Sequence, residues 1–187
     1  MCAACASGGR VAEGVARDRL QQEGLNYPAA RSHYRPEHLR TSALVSAVAA
    51  VGYRELAERL TAAHPSPSTP EQLAKVAVAY VQFALERPAL FRIMFGEPCD
   101  RDNDERVAAT AAVSLYVREI VQRSFPHADA DALATAIWAL VHGLAFLHLD
   151  GKLDAATPSG VAQRVSTAIH SLLTATSTGR RSADSGR

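Results

Sequence analysis

Several small groups of residues in this chain have side chains suited to chemistry. Cys2 and Cys5 form a C-x-x-C pair near the N-terminal end, and His33 and His38 follow at H-x4-H spacing. Two thiolates and two imidazoles would complete a tetrahedral zinc site. The segment between them lacks a zinc-finger pattern, so no metal is expected. A redox role for the pair needs a βαβ setting, and the chain has no strand pattern to supply one. His148, Asp150 and Asp154 have the types for a metal or acid–base site. Their plainer reading places His148 at a helix C-terminus, where the dipole favours its protonated form, and makes Asp150-Gly151 a turn. Trp138 and His142 are four residues apart, so they share a helix face. They either line a pocket or serve as core filler and a satisfied buried polar group. Arg31, Arg35 and Arg40 could touch phosphates, which position a protein on nucleic acid without specifying sequence; a solvated arm would carry the same charges. No nucleophile–base arrangement, phosphate-cradling glycine loop or metal quartet is present. The chain is therefore expected to have no catalytic residue and no cofactor, and not to be an enzyme.

These residues depend on helices for their placement. Trp138, His142 and His148 lie in AIWALVHGLAFLHL, Ala136 to Leu149, whose apolarity is broken only by His142, Gly143 and His148. The run is short of the roughly 20 apolar residues that cross a bilayer, so no membrane is expected. A surface helix shows an apolar stripe, whereas this one is apolar on every side. Protein must cover it all round, its own domain on one face and a second copy of the chain on the other. Upstream, Val45, Ala49, Gly52, Leu56 and Leu60 recur at steps of three and four between about Thr41 and Ala63. Glu55 and Arg59 form an i,i+4 pair on the polar side. Thr69-Pro70 with Gln72 reads as a capping box with Pro at the first helical position. That helix carries Leu73, Val76, Ala77, Tyr80, Val81 and Ala84 and ends or kinks at Pro88. A short helix over Ala89 to Phe95, a long one from about Asn103 to Ser124, and one capped by Asp129 or Asp131 follow. Thr157-Pro158 starts the last, with Val161, Val165, Ala168, Ile169, Leu172 and Leu173 on one face. The expected fold is all-α, a helical bundle.

At 187 residues the chain is one domain, or one with a small attachment. Apolar residues make up 48%, enough for a sizeable core, and a net charge of +1 creates no global field towards nucleic acid or membrane. Residues 1–40 hold six arginines against four acids, a weak local bias. All but two of the 20 basic residues are arginine, which with the abundant alanine suggests a GC-rich bacterial genome. No signal peptide is legible, and three cysteines suit a reducing compartment, so a cytoplasmic location is expected. Residues 41–176 read as the helical domain. Residues 1–40, with a short helix over Val11 to Gln22 and then Pro28 and Pro36, read as a separate segment. Residues 177–187 read as a disordered polar tail.

Three stretches in order resemble one branch of the TetR-type transcriptional regulators. IWALVHGLAFLHLDGKL, with Trp138, His142 and Gly143, is similar to that branch's Trp…His-Gly signature. FALERPALFRIMF, Phe83 to Phe95, is similar to its helix broken at a proline before an aromatic-Met-Phe turn. ALVSAVAAVGYRELAERL, Ala43 to Leu60, resembles the helix joining the DNA-binding and regulatory parts. The resemblance implies a homodimer whose last two helices pair into a four-helix bundle, a small apolar effector among the middle helices, and operator DNA read by a helix-turn-helix head. It implies a ligand pocket drawn from Phe83, Met94, Phe95, Tyr116, Trp138 and His142. Leu144, Leu147, Val165, Ile169 and Leu172 would face the partner, and Arg31, Tyr34 and Arg35 would contact DNA. Between Gly24 and the connecting helix, Leu25 to Arg40 contain two prolines and no clean turn-and-helix pattern. The head therefore reads as a remnant, an altered form or a mis-read start. Two functions stay open: a ligand-responsive regulator, or a dimeric ligand-binding module that has lost DNA reading.

Overall fold

The computed structural model describes residues 36–96 and 103–184, with side chains over 42–96 and 103–175. The described residues form six helices and no strand: α1 Pro36–Ala63, α2 Pro70–Glu86, α3 Pro88–Gly96, α4 Asp104–Ser124, α5 Ala130–Leu149 and α6 Pro158–Asp184.

Local chemistry sets most of the boundaries. At α2 the Thr69 hydroxyl accepts from Gln72 N, and the Gln72 carboxamide accepts from Thr69 N (both 3.3 Å), completing the capping box. Arg87 closes the helix on the Phe83 carbonyl, and Pro88 opens α3. The Asn103 side chain caps α4 by accepting from Arg106 N at 2.8 Å. Of the two candidates for α5, Asp129 is the cap, accepting from Asp131 N and Ala132 N. Gly151, at φ +67°, takes the left-handed turn that ends α5. The Thr157 hydroxyl accepts from Gly160 N at the start of α6. α1 begins at Pro36 rather than near Thr41, because proline's missing N–H costs nothing at a helix's first position. α6 continues to Asp184, beyond the point where composition ended it.

α2 lies at the centre, packed on α1, α3, α5 and α6, while α4 packs on α1 and α5. Nine of its 17 residues are buried. α5 packs on α2, α4 and α6 through Leu133, Ala134, Ile137, Val141, Leu144, Ala145 and His148. Its opposite flank, Thr135, Ala139, Gly143 and Leu147, is exposed. The helix enclosed on most sides within one chain is therefore α2. α5 spans 20 residues, so by length and composition it could cross a membrane, and the fourteen-residue run understated it. In the structure it serves as one wall of the bundle.

Glu55 and Arg59 also depart from expectation. Arg59 forms a bidentate pair with Glu86 (2.6 and 2.7 Å), and Glu55 pairs with Arg87 at 3.2 Å. Both side chains reach the end of α2 because its charged residues lie beside α1. Arg59 holds the Glu86 carboxyl below its ordinary range.

Candidate functional site

Four helices leave a small cavity between them. α1 contributes Leu60, α2 contributes Leu73, Val76, Ala77 and Tyr80, α4 contributes Val113, Val117 and Ile120, and α5 contributes Ile137, Trp138 and Val141. The volume is about 30 Å³, room for one or two water-sized bodies. These are stripe residues of their helices, so the cavity is a gap at the point where four apolar faces converge. No lining side chain carries a charge.

Tyr80 and Trp138 are the lining side chains that carry polar atoms, but the wall they present to the cavity is wholly apolar. The Tyr80 hydroxyl lies 3.0 Å from His142 Nδ1. Burial pushes the Tyr80 pKa far up, and the indole of Trp138 beside its hydroxyl works in the other direction. Burial lowers the His142 pKa to about 4, so the ring is neutral near pH 7. Tyr80 then donates, Nδ1 accepts, and the imidazole proton is assigned to Nε2. The Trp138 indole nitrogen is buried and makes no hydrogen bond of acceptable length and angle.

His142 is surrounded by rings. Its centroid lies 4.6 Å from that of Phe95, 4.9 Å from Phe146, 5.2 Å from Trp138 and 5.7 Å from Phe91. Phe91 also packs on Phe95 at 4.7 Å and edge-on to Tyr80 at 5.7 Å. This cluster joins α2, α3 and α5, and Tyr53 of α1 meets Phe95 edge-on at 5.4 Å. Such pairs add roughly 0.5–1.5 kcal/mol each beyond their buried area.

The six pocket residues expected from the sequence therefore separate. Trp138 lines the cavity. Phe95 and His142 belong to the adjoining aromatic cluster. Phe83 is buried in α2. Met94 lies over Gly52, and its carbonyl accepts from the Tyr53 hydroxyl at 3.0 Å. Tyr116 donates to the His64 carbonyl at 2.7 Å and leans on that of Leu60 at 3.3 Å. Sequence reasoning placed Tyr80 in a core stripe and missed its polar contact. The available signal was a hydroxyl on an apolar face, since a buried tyrosine usually finds a partner.

Of the five residues expected to face a partner, Leu144, Val165 and Ile169 are buried in the chain's own core. Leu147 is 44% exposed, and Leu172 is half-buried. The structure does not bring His148, Asp150 and Asp154 together as metal donors. His148 sits in the last turn of α5 as expected, but its ring is buried and neither nitrogen has a hydrogen-bond partner. Asp150 instead pairs with Arg92 of α3 at 2.5 Å, with the guanidinium over Phe146. Arg31, Tyr34 and Arg35, like Cys2, Cys5 and His33, lie outside the described residues, as do the side chains of His38 and Arg40.

A family model described as tetracyclin repressor-like, C-terminal domain, matches residues 73–172. A solved structure of a protein with unknown function from Rhodococcus sp. RHA1 is similar, with 27% identity and a TM-score of 0.60, over 82% of this chain and 81% of that one. No curated protein matches the chain.

Proposed function

Because this chain belongs to the tetracyclin repressor-like family through its C-terminal domain, we propose that it is a ligand-responsive transcriptional regulator. In this reading it works in the cytoplasm as a homodimer, with an apolar effector site coupled to operator DNA. The observation that carries the reading is the course of α1. This one unbroken helix of 28 residues is about 42 Å long. Near its C-terminal end Leu60 lines the cavity, and its N-terminal end carries the preceding segment of the chain. A ligand that swells the cavity pushes on Leu60, and the helix carries the displacement to its far end. Recognition helices of a helix-turn-helix dimer must sit about 34–36 Å apart on DNA. A small pivot of α1 in each subunit is enough to lose that spacing.

The outer flank of α5 supports the dimer. Ala139, Gly143 and Leu147 recur every four residues and are exposed. A Cβ added at Gly143 would meet nothing within 4 Å. A glycine inside a helix costs roughly 1 kcal/mol relative to alanine, and nothing among the described residues offsets that cost. A second α5 crossing closely at this point would. Leu147 and Leu172 remain available to such a partner, while Leu144, Val165 and Ile169 act through the core behind it.

The test is a gel shift with DNA upstream of the protein's own gene. Sequence-selective binding that weakens steeply with salt is the expected result. An intact dimer that binds no DNA at low salt would instead favour the module that has lost DNA reading. The sequence from Leu25 to Arg40, with two prolines and no clean turn-and-helix pattern, keeps that reading in view.

A further inference from the structure

We propose that the outward face of the first half of α1, a ridge of Leu44, Val48 and Val51, is the docking surface for an upstream segment of the same chain, residues 11–22, folded there as an amphipathic helix. This contact depends on neither the effector site nor the reading of DNA.

α1 changes character halfway along. From Thr41 to Tyr53 it holds no charged residue. Its outward positions there, Ser42, Ala43, Leu44, Ala47 and Val51, are all exposed, and Val48 beside them is half-buried. Leu44 is 65% exposed, more than any other large apolar side chain among the described residues, and Val51 is 43% exposed. Leu44, Val48 and Val51 follow at steps of four and three, so they stand in one row. Past Tyr53 the outward side turns charged. Arg54 pairs with Glu105, Glu55 with Arg87 and Arg59 with Glu86, and Glu58 is exposed. A helix face made for solvent carries polar and charged groups, as the second half does. The first half presents an apolar ridge instead, which is the mark of a covered surface. That ridge lies on a different helix from the bare flank of α5 that suits a second subunit, and α1 packs on α2, α3 and α4.

The chain itself supplies an occupant. Residues 1–35 lie outside the described residues and enter α1 at Pro36, eight positions before Leu44. In their sequence Val11 and Val15 form one row at a spacing of four, and Ala12, Ala16 and Leu20 form the next. Arg10, Glu13, Arg17 and Gln21 fall on the opposite side of the same helix. Laid on α1, such a helix covers the ridge with its apolar side and gives water the charges that the ridge lacks. Pro28 and Pro36 interrupt any continuous helix between the two, so the segment folds back on α1 and does not extend it. The connection is long enough: the eleven residues 25–35 reach about 36–40 Å when extended, and Val51 is about 22 Å along the helix from Pro36. A tether this short holds the segment at roughly millimolar effective concentration, an advantage that a free partner lacks.

Hydrogen exchange of the full chain, read by mass spectrometry on peptides from residues 11–22 and from α2, tests the contact. The amides of residues 11–22 should exchange at least about tenfold more slowly than in an unstructured chain. Leu44→Asp combined with Val51→Asp should return them to the unstructured rate while α2 keeps its protection. Val15→Asp, which lies outside the bundle, should do the same. Sedimentation of both variants should match that of the parent. Unprotected amides at 11–22 in the parent overturn the proposal, and so does protection that survives Leu44→Asp with Val51→Asp. A parent dimer that the α1 variant turns into a monomer also overturns it and assigns the ridge to a second copy. If the α1 variant loses the protection of α2 as well, Val15→Asp decides: protection of 11–22 that persists there sinks the proposal.

Discussion

Gly52 of α1 and Gly143 of α5 are both helix-interior glycines, and they sit in opposite surroundings. A Cβ at Gly52 would lie 2.5 Å from Met94 Sδ and 3.0 Å from a Leu90 methyl. There the missing side chain lets α3 lie down on α1. At Gly143 the same added carbon meets only space. One glycine is explained by its packing neighbours, and the other finds no explanation among the described residues. α2 and α5 repeat the contrast. α2 has neighbours on most sides, while the more uniformly apolar α5 keeps a bare flank. Apolarity beyond what the chain can bury is a reason to look for a partner.

Replacing Phe91, which is fully buried between α2, α3 and α5, is the harshest test of the closed side. Phe91→Ala should cost about 3–5 kcal/mol in denaturant unfolding. A loss under about 1 kcal/mol would mean that the cluster around His142 is not rigid packing. Gly52→Leu comes next, at about 1–3 kcal/mol, because Met94 is itself buried and has little room to move aside. Gly143→Leu should instead leave the subunit folded and turn the dimer into a monomer on sedimentation. If Gly143→Leu stays dimeric and Gly52→Leu costs nothing, the contrast between the two glycines is lost.

Acidification probes the closed side more gently. The His142 pKa is lowered from 6.5 to about 4 on folding, so between those values the unfolded chain binds a proton that the folded chain does not. The stability tied to the neutral ring is complete above about pH 6.5 and is lost as the pH falls towards 4. The melting temperature should drop across that window, and the drop should shrink in His142→Phe. An unchanged slope in the variant would assign the acid sensitivity to other groups. Arg59→Ala should do least. It removes a surface pair with Glu86 and should cost under about 1 kcal/mol in the same unfolding measurement, less in high salt.

Short-range spacing was enough to mark the helices, most of their ends and the family, though not where α1 begins or α6 stops. Thr69, Asp129, Gly151 and Thr157 act through hydrogen bonds or backbone angles reaching no more than a few residues, so short spacings reveal them. The Trp…His-Gly signature carried the family for the same reason: Trp138, His142 and Gly143 are neighbours on one helix. Which partners meet across helices emerged from the packing. It turned Arg59 from Glu55 to Glu86, drew Val165 and Ile169 inward, and brought Phe91, Phe95 and Tyr80 around His142. It also placed Leu60 and Trp138 on one cavity. Those outcomes depend on how α1, α2, α3 and α5 cross, and many side chains far apart in the chain set those crossings together, so no local spacing encodes them.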